Sequence, residues 1–234
     1  MRIFYFDLVK ISRNFLVLFL LATTAILFSM IVRQNVPSTA GAAGSVITKV
    51  QTKEKVAALT FDITLETDVA TIARSLEENQ ITATFFLDPD WAKKNQKAIR
   101  HLALKGHEIG VLLDSKVIKN NYPENMDKAK ELYSLWTGSS LRLVRLTDNK
   151  PDAKGPQILH SHGFKVIGST VKIQDMPGQN ADWLLPGSIL HIIPQSSSST
   201  TQKLLTEVMS AAKEEHFRLN TLSELLSYGP GIVN

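Results

Sequence analysis

The chain contains no cysteine in 234 residues. That excludes disulfides, thiolate metal sites and cysteine nucleophiles together. A domain of this length can bury enough apolar surface to need no covalent staples, so the absence is compatible with an oxidising compartment. An excess of one charge is nearly lacking too: the formal net charge is +4. That suits a neighbourhood of anionic lipid or anionic polymer and is too weak to imply nucleic acid. No Lys/Arg cluster interleaved with aromatic residues occurs, no G-x-G-x-x-G follows the first predicted strand, and no internal repeat is visible. A nucleic-acid-binding surface, a dinucleotide fold and a solenoid are thereby disfavoured.

What is present is globular in composition, with 44% apolar and 21% charged residues. The strongest physical signal is the run Phe15–Val32, 18 residues without a charge. As a helix it would be about 27 Å long, close to the hydrocarbon thickness of a bilayer. Arg2, Lys10 and Arg13 precede it against a single acid, Asp7, and Arg33 alone abuts its far end. The positive-inside rule then leaves the N-terminus in the cytoplasm and the remainder outside the cytoplasmic membrane. A cleaved signal peptide is the alternative, with Ala40-Gly41-Ala42 as a cleavage motif, but the apolar run is long for a signal core. The expected organisation is a cytoplasmic N-terminus at 1–14, a single-pass transmembrane anchor at 15–32, a linker at 33–50, one domain at 51–228 and a tail at 229–234.

Beyond the linker, strand and helix patterns alternate. Val56–Phe61 reads as a buried strand ending at Asp62, and Asp68–Glu78 has helical spacing. Ala83–Leu87 is a strand, and Asp88-Pro89-Asp90 opens a helix that runs to Lys105 and stops at Gly106. His107–Leu113, Leu141–Leu146, Phe164–Ile167, Ser188–Ile193 and Phe217–Leu219 follow as strands. Helices are expected at Glu124–Trp136, Pro156–Ser161 and Gln202–Glu215. Thr221 caps a last helix, with Glu224 three residues on. The alternation predicts an α/β fold with a mainly parallel sheet covered on both faces, either a barrel or an open doubly wound sheet.

In both architectures sites form at the carboxyl ends of the strands. Asp62, Asp88, Asp114, Arg145 with Asp148, and Asp175 stand at or just beyond such ends, and His191 lies inside a strand. Helix capping accounts for Asp88 and loop chemistry for Asp114. His191, between Leu190 and Ile192, reads as a partly buried histidine with a local hydrogen bond. His160 and His162 form an H-x-H, but i and i+2 diverge on a helix and chelate poorly. Asp62 follows an apolar run directly and needs a buried partner, for which Arg145 is the candidate.

Lys55–Asp62, Ala83-Thr84-Phe85-Phe86-Leu87, Trp91-Ala92, Gly106-His107-Glu108-Ile109-Gly110 and Pro186-Gly187-Ser188-Ile189, in this order and spacing, resemble the NodB-homology domain. That is the polysaccharide deacetylase domain of carbohydrate esterase family four. The likeness extends over about residues 50–228, and Thr60-Phe61-Asp62-Ile63 is similar to the T-F-D-I of its PdaB-like sporulation branch. It implies a distorted, incomplete (β/α) barrel. It also implies hydrolysis of an acetamide by a divalent metal, an aspartate base, an arginine that orients that base and a histidine acid.

The departures from that pattern are as informative. By the resemblance, the three metal-ligand positions fall at Ile63, Leu112 and Lys116, none of which can coordinate a metal. Arg145-Leu146-Thr147-Asp148-Asn149 keeps only the arginine of its motif, and Asp175-Met176 only the aspartate. The acid histidine falls at Ile193. His191 is two residues early, a displacement of roughly 7 Å along a strand. Asp62, Arg145 and Asp175 remain as catalytic remnants with no metal and no cofactor expected. The chain is thus expected to be a pseudoenzyme binding peptidoglycan, a related glycan or an envelope protein, the alternative being an active, divergent deacetylase of peptidoglycan sugars.

Overall fold

The computed structural model describes residues 45–114, 118, 122–147, 154–174, 181–194 and 198–233. The chain divides after Ser38 into two units. The first, with the expected anchor at 15–32, lies outside the described residues, as do Lys116, Asp148 and Asp175. Among the described residues no helix is long and apolar enough to cross a membrane.

The strands are β1 (Ile47–Val50), β2 (Val56–Ile63), β3 (Thr84–Leu87), β4 (Glu108–Leu113), β5 (Leu143–Leu146), β6 (Lys165–Val166), β7 (Val171–Ile173), β8 (Ile189–Ile192), β9 (Arg218–Asn220) and β10 (Gly231–Val233). The helices are α1 (Val69–Glu78), α2 (Pro89–Lys94), α3 (Gln96–Leu104), α4 (Tyr122–Thr137), α5 (Lys154–Ser161), α6 (Ser198–Glu214) and α7 (Leu222–Leu226). The main sheet has the order β6-β5-β4-β3-β2-β8-β7, with β9 also on β2, and every pairing in it is parallel. This is the α/β half-barrel of parallel strands that the alternating pattern permits.

β2 is buried on both faces, which is why it reads as an unbroken apolar run rather than an alternating one. Ala57, Leu59, Phe61 and Ile63 join the core under the helices, where Phe61 stacks on Phe85 at 5.1 Å. Val56 and Ala58 face the concave side with Phe86, Leu112, Leu143, Ile167 and Ile189. Side chains alternate along a strand, so Thr60 and Asp62 fall on the concave side as well.

α7 closes the floor of this concave side: Leu222, Leu225 and Leu226 belong to the same inner cluster. Its N-terminus carries the expected capping box between Thr221 and Glu224. The helix is anchored by Thr84 Oγ1, which accepts from Leu222 N at 2.8 Å, and by Glu108, whose carboxylate accepts from Ser223 N at 3.0 Å and from Thr84 Oγ1 at 2.8 Å.

Two sequence expectations need correction, and one strand lies where no element was expected. Ile47–Val50 and Gly231–Val233, read as the end of a linker and as a tail, form the antiparallel ribbon β1–β10. This ribbon lies across the open edge of the half-barrel, bridging Ile47 to Ile167 and Lys49 to Ser188. Two short edge segments pair only with each other and with a distant edge, a non-local arrangement that no local period signals. Gly187 seats the ribbon: Val50 N donates to its carbonyl at 2.8 Å, its φ is +77°, and a Cβ there would lie 1.9 Å from Val50 O. Second, the helix expected from Asp88 to Lys105 is broken at Asn95, whose φ is −121° and whose side-chain amide donates to Trp91 O at 2.8 Å. Asparagine competes for backbone groups in this way and so tolerates the break. The unexpected strand is Val171–Ile173, too short to carry a period.

Candidate functional site

The concave face is built by register. Thr60 of β2 stands opposite His191 of β8, Asp62 opposite Phe86 of β3, Phe86 opposite Gly110 of β4, and Leu112 opposite Arg145 of β5. In a parallel sheet, residues in register share a face, so these side chains converge on one mouth at the carboxyl ends. β8 lies directly beside β2, and the curl of the sheet brings β5, three strands away, within reach of it.

Arg145 is the centre of this group, with 3% of its side chain exposed. Its Nη1 donates to Asp62 Oδ1 at 3.0 Å and its Nη2 to the carbonyl of Gly168 at 3.0 Å. The guanidinium lies over the Phe86 ring, 4.2 Å from the centroid, a cation–π contact in a desolvated place. Phe86 can occupy that position because residue 110 is glycine: a Cβ there would come within 2.7 Å of the ring. Gly110 of the G-H-E-I-G segment thus shapes the site at one remove, through Phe86. Arg145 Nε is buried without a partner.

His191 completes the group. Its Nε2 is 3.0 Å from Asp62 Oδ2. The separation is that of a hydrogen bond, but the ring nitrogen is off the bonding direction and makes no aligned bond. Burial opposes ionisation of Asp62, yet the Arg145 charge, with His191, outweighs it and holds the carboxyl below its ordinary value. Burial, together with the Arg145 charge, holds His191 below the usual histidine range despite the neighbouring Asp62. At neutral pH the group is therefore a buried Asp62–Arg145 ion pair with an uncharged imidazole against it.

Of the sequence-predicted site residues, Asp62 and Arg145 meet as expected, and Asp175 lies outside the described residues. Asp88 caps α2, its Oδ1 accepting from Asp90 N and Trp91 N at 2.9 Å each. His160 contacts Ser45 O through Nε2 at 2.8 Å, so it serves the packing of the chain's entry into the fold. His191 is the residue that sequence reasoning undervalued. A local partner was expected, whereas its contact is Asp62 on the neighbouring strand. The signal was available: counting in twos from His191 along β8, aligned with β2, places it on the Asp62 face.

The divalent metal that the resemblance implies does not fit these residues. Asp62 presents one oxygen to a guanidinium and the other to an imidazole, so its nearest neighbour is already a cation. Leu112, at one of the implied ligand positions, is on the same face and apolar, and Ile63 turns away into the core under the helices. Among the described residues no three His, Asp or Glu side chains are placed to share a metal ion. Among the described residues of this face, the ion pair with Arg145 is what satisfies the Asp62 carboxylate.

Comparison with known proteins agrees with this architecture. The family described as Polysaccharide deacetylase matches residues 49–167, half of the chain, and the protein belongs to that family. Among solved structures, the chain is similar to a family 4 carbohydrate esterase pseudoenzyme from Bacillus anthracis, at 20% identity, TM-score 0.63, over 80% of this chain and 70% of that one. It is similar to a peptidoglycan N-acetylglucosamine deacetylase, at 19% identity and TM-score 0.66, over 79% and 94%. A chitin deacetylase from Colletotrichum lindemuthianum gives 20% identity and TM-score 0.66, over 80% and 94%. No curated protein matches the chain. At these identities the structural likeness concerns the fold.

Two outcomes follow from the buried pair. Arg145→Ala strands Asp62 and should destabilise the domain by about 3–5 kcal/mol. Asp62→Asn should cost less, because the amide oxygen still accepts from the guanidinium. Urea denaturation curves check the order; equal midpoints for Arg145→Ala and the parent protein would show that the pair is not structural.

The second outcome concerns pH. His191 and His107 both have pKa values lowered chiefly by burial. The unfolded chain therefore takes up protons first, below about pH 6.5, and stability falls as pH falls through that range. The lowered Asp62 carboxyl adds a further loss below about pH 4. His191→Asn should flatten the decline between about pH 6.5 and 5 in denaturation midpoints measured against pH. An unchanged slope would mean that His191 is not buried uncharged.

Proposed function

We propose that this protein is a deacetylase-like pseudoenzyme of the PdaB-like branch, tethered by residues 15–32 to the outer face of the cytoplasmic membrane. It binds peptidoglycan or a related glycan at the cell wall or spore envelope, or a protein partner there. The observation that carries the reading is the state of Asp62. A general base must have an oxygen free toward the water it deprotonates, and both oxygens of this carboxylate face Arg145 and His191. Its lowered basicity points the same way, since a carboxyl held below its ordinary value is a poorer proton acceptor. The apolar Leu112 removes a donor from the mouth. Without a polarised carbonyl, attack of water on an amide lacks its largest catalytic term. A pseudoenzyme of the same esterase family is among the fold's solved neighbours.

One observation favours the second reading, an active and divergent deacetylase. His191 beside Asp62 keeps an imidazole in the mouth, 3.0 Å from the carboxylate. Its buried position, 7% exposed, argues against proton delivery to a leaving amine.

An assay of the purified protein on peptidoglycan and on chitooligosaccharide separates the two. The expected result is no release of acetate above a no-protein control, together with retention on insoluble peptidoglycan. Acetate release that Asp62→Asn abolishes without unfolding the domain would establish the enzyme instead. The anchor is tested by sequencing the N-terminus of the mature protein: retention of residues 15–32 is expected, and a start near Ala43 would reduce that segment to a signal peptide.

A further inference from the structure

We propose that the cleft at the amino ends of β5 and β6, opposite the Asp62 mouth, is a second binding site and that it takes a carboxylate-bearing polysaccharide. The cleft has a volume of about 1130 Å³ and runs between α4 and the loops that enter these strands. Among the described residues, Lys128, Lys130, Arg142 and His162 line it against one acid, Glu131. Lys130 is fixed in place: its ammonium donates to the His162 carbonyl and sits over the Phe164 ring, 4.4 Å from the centroid. Lys128 and Arg142 are exposed, and neither forms an ion pair among the described residues. Two cations left unneutralised on one concave surface favour an anion, and the planar fork of arginine suits a carboxylate.

The remaining lining supplies the hydroxyls of Ser134 and Ser140, suited to the hydroxyl groups of a sugar chain. Among the described residues no exposed Phe, Tyr or Trp ring lines the cleft, which disfavours a single-stranded nucleic acid that would stack its bases. Ser140, Leu141 and Arg142 also line an adjoining cavity of about 500 Å³. That cavity is bounded by His107 and Tyr133, whose Nε2 and hydroxyl are buried without partners. His107 Nδ1 accepts from Ala83 N at 3.2 Å, so in the neutral ring the proton is on Nε2, a donor left unpaired. An occupant carrying sugar hydroxyls matches both atoms.

None of these residues belongs to the Asp62 group, so the two sites can be tested separately. The probe is an oligogalacturonide titrated into the full-length protein in detergent, followed by calorimetry at low and at moderate salt. A neutral chitooligosaccharide and inorganic polyphosphate serve as comparison probes. The expected result is binding of the oligogalacturonide that weakens with salt and falls about tenfold or more in Lys128→Glu/Arg142→Glu. Lys97→Glu/Lys203→Glu, which makes the same change in net charge at exposed positions elsewhere, should leave it unchanged. A circular dichroism melt of each variant shows that it is folded. Absence of binding, equal weakening by the Lys97/Lys203 variant, an equal affinity for the neutral oligosaccharide that falls in the same way in Lys128→Glu/Arg142→Glu, or binding of polyphosphate alone would each overturn the proposal.

Discussion

A guanidinium with 3% of its surface exposed must be neutralised where it stands, and at the mouth of this half-barrel Asp62 is what neutralises Arg145. The cost of burying both charges is several kcal/mol per ion and is recovered only with good geometry and further hydrogen bonds. The site supplies most of these: a 3.0 Å contact to Asp62, another to the Gly168 carbonyl and the face of Phe86. The pair also links β5 to β2 across the concave face of the sheet. Removing one partner leaves the other charge inside with nothing to replace it.

The rest of the fold serves that geometry from two directions. Below, α7 fills the floor with Leu222, Leu225 and Leu226 and is tied to Glu108 and Thr84. At the open edge the β1–β10 ribbon bridges to Ile167 and Ser188, and Gly168 N donates to Ile47 O at 2.8 Å. That same Gly168 offers its carbonyl to Arg145. The ribbon that closes the edge is thereby connected, through one residue, to the ion pair at the mouth.

Much of this was legible in sequence, for a physical reason. A strand buried on both faces, such as β2, is an unbroken apolar run, and a charged residue at its end, such as Asp62, has to find a partner. Capping chemistry is local, so Asp88 at α2 and the Thr221–Glu224 box could be read directly. What escaped was non-local. The β1–β10 ribbon joins residues some 180 positions apart in short segments without a period. His191 was assigned a local partner because its role depends on which strand lies beside it, and pairing β8 with β2 is a property of the whole sheet. The direction of Ile63, into the core under the helices, follows from the alternation that sends Asp62 to the concave side, and it could have been counted.

Where the resemblance implies a divalent metal, the described residues of this mouth put an arginine, an imidazole and a leucine around Asp62. We propose that this arrangement makes the chain a binding protein rather than a metalloenzyme. Calorimetric titration of zinc into the purified protein tests it most directly. No saturable one-to-one binding is expected at micromolar metal. One zinc per chain, lost on Asp62→Asn with the fold intact, would contradict it.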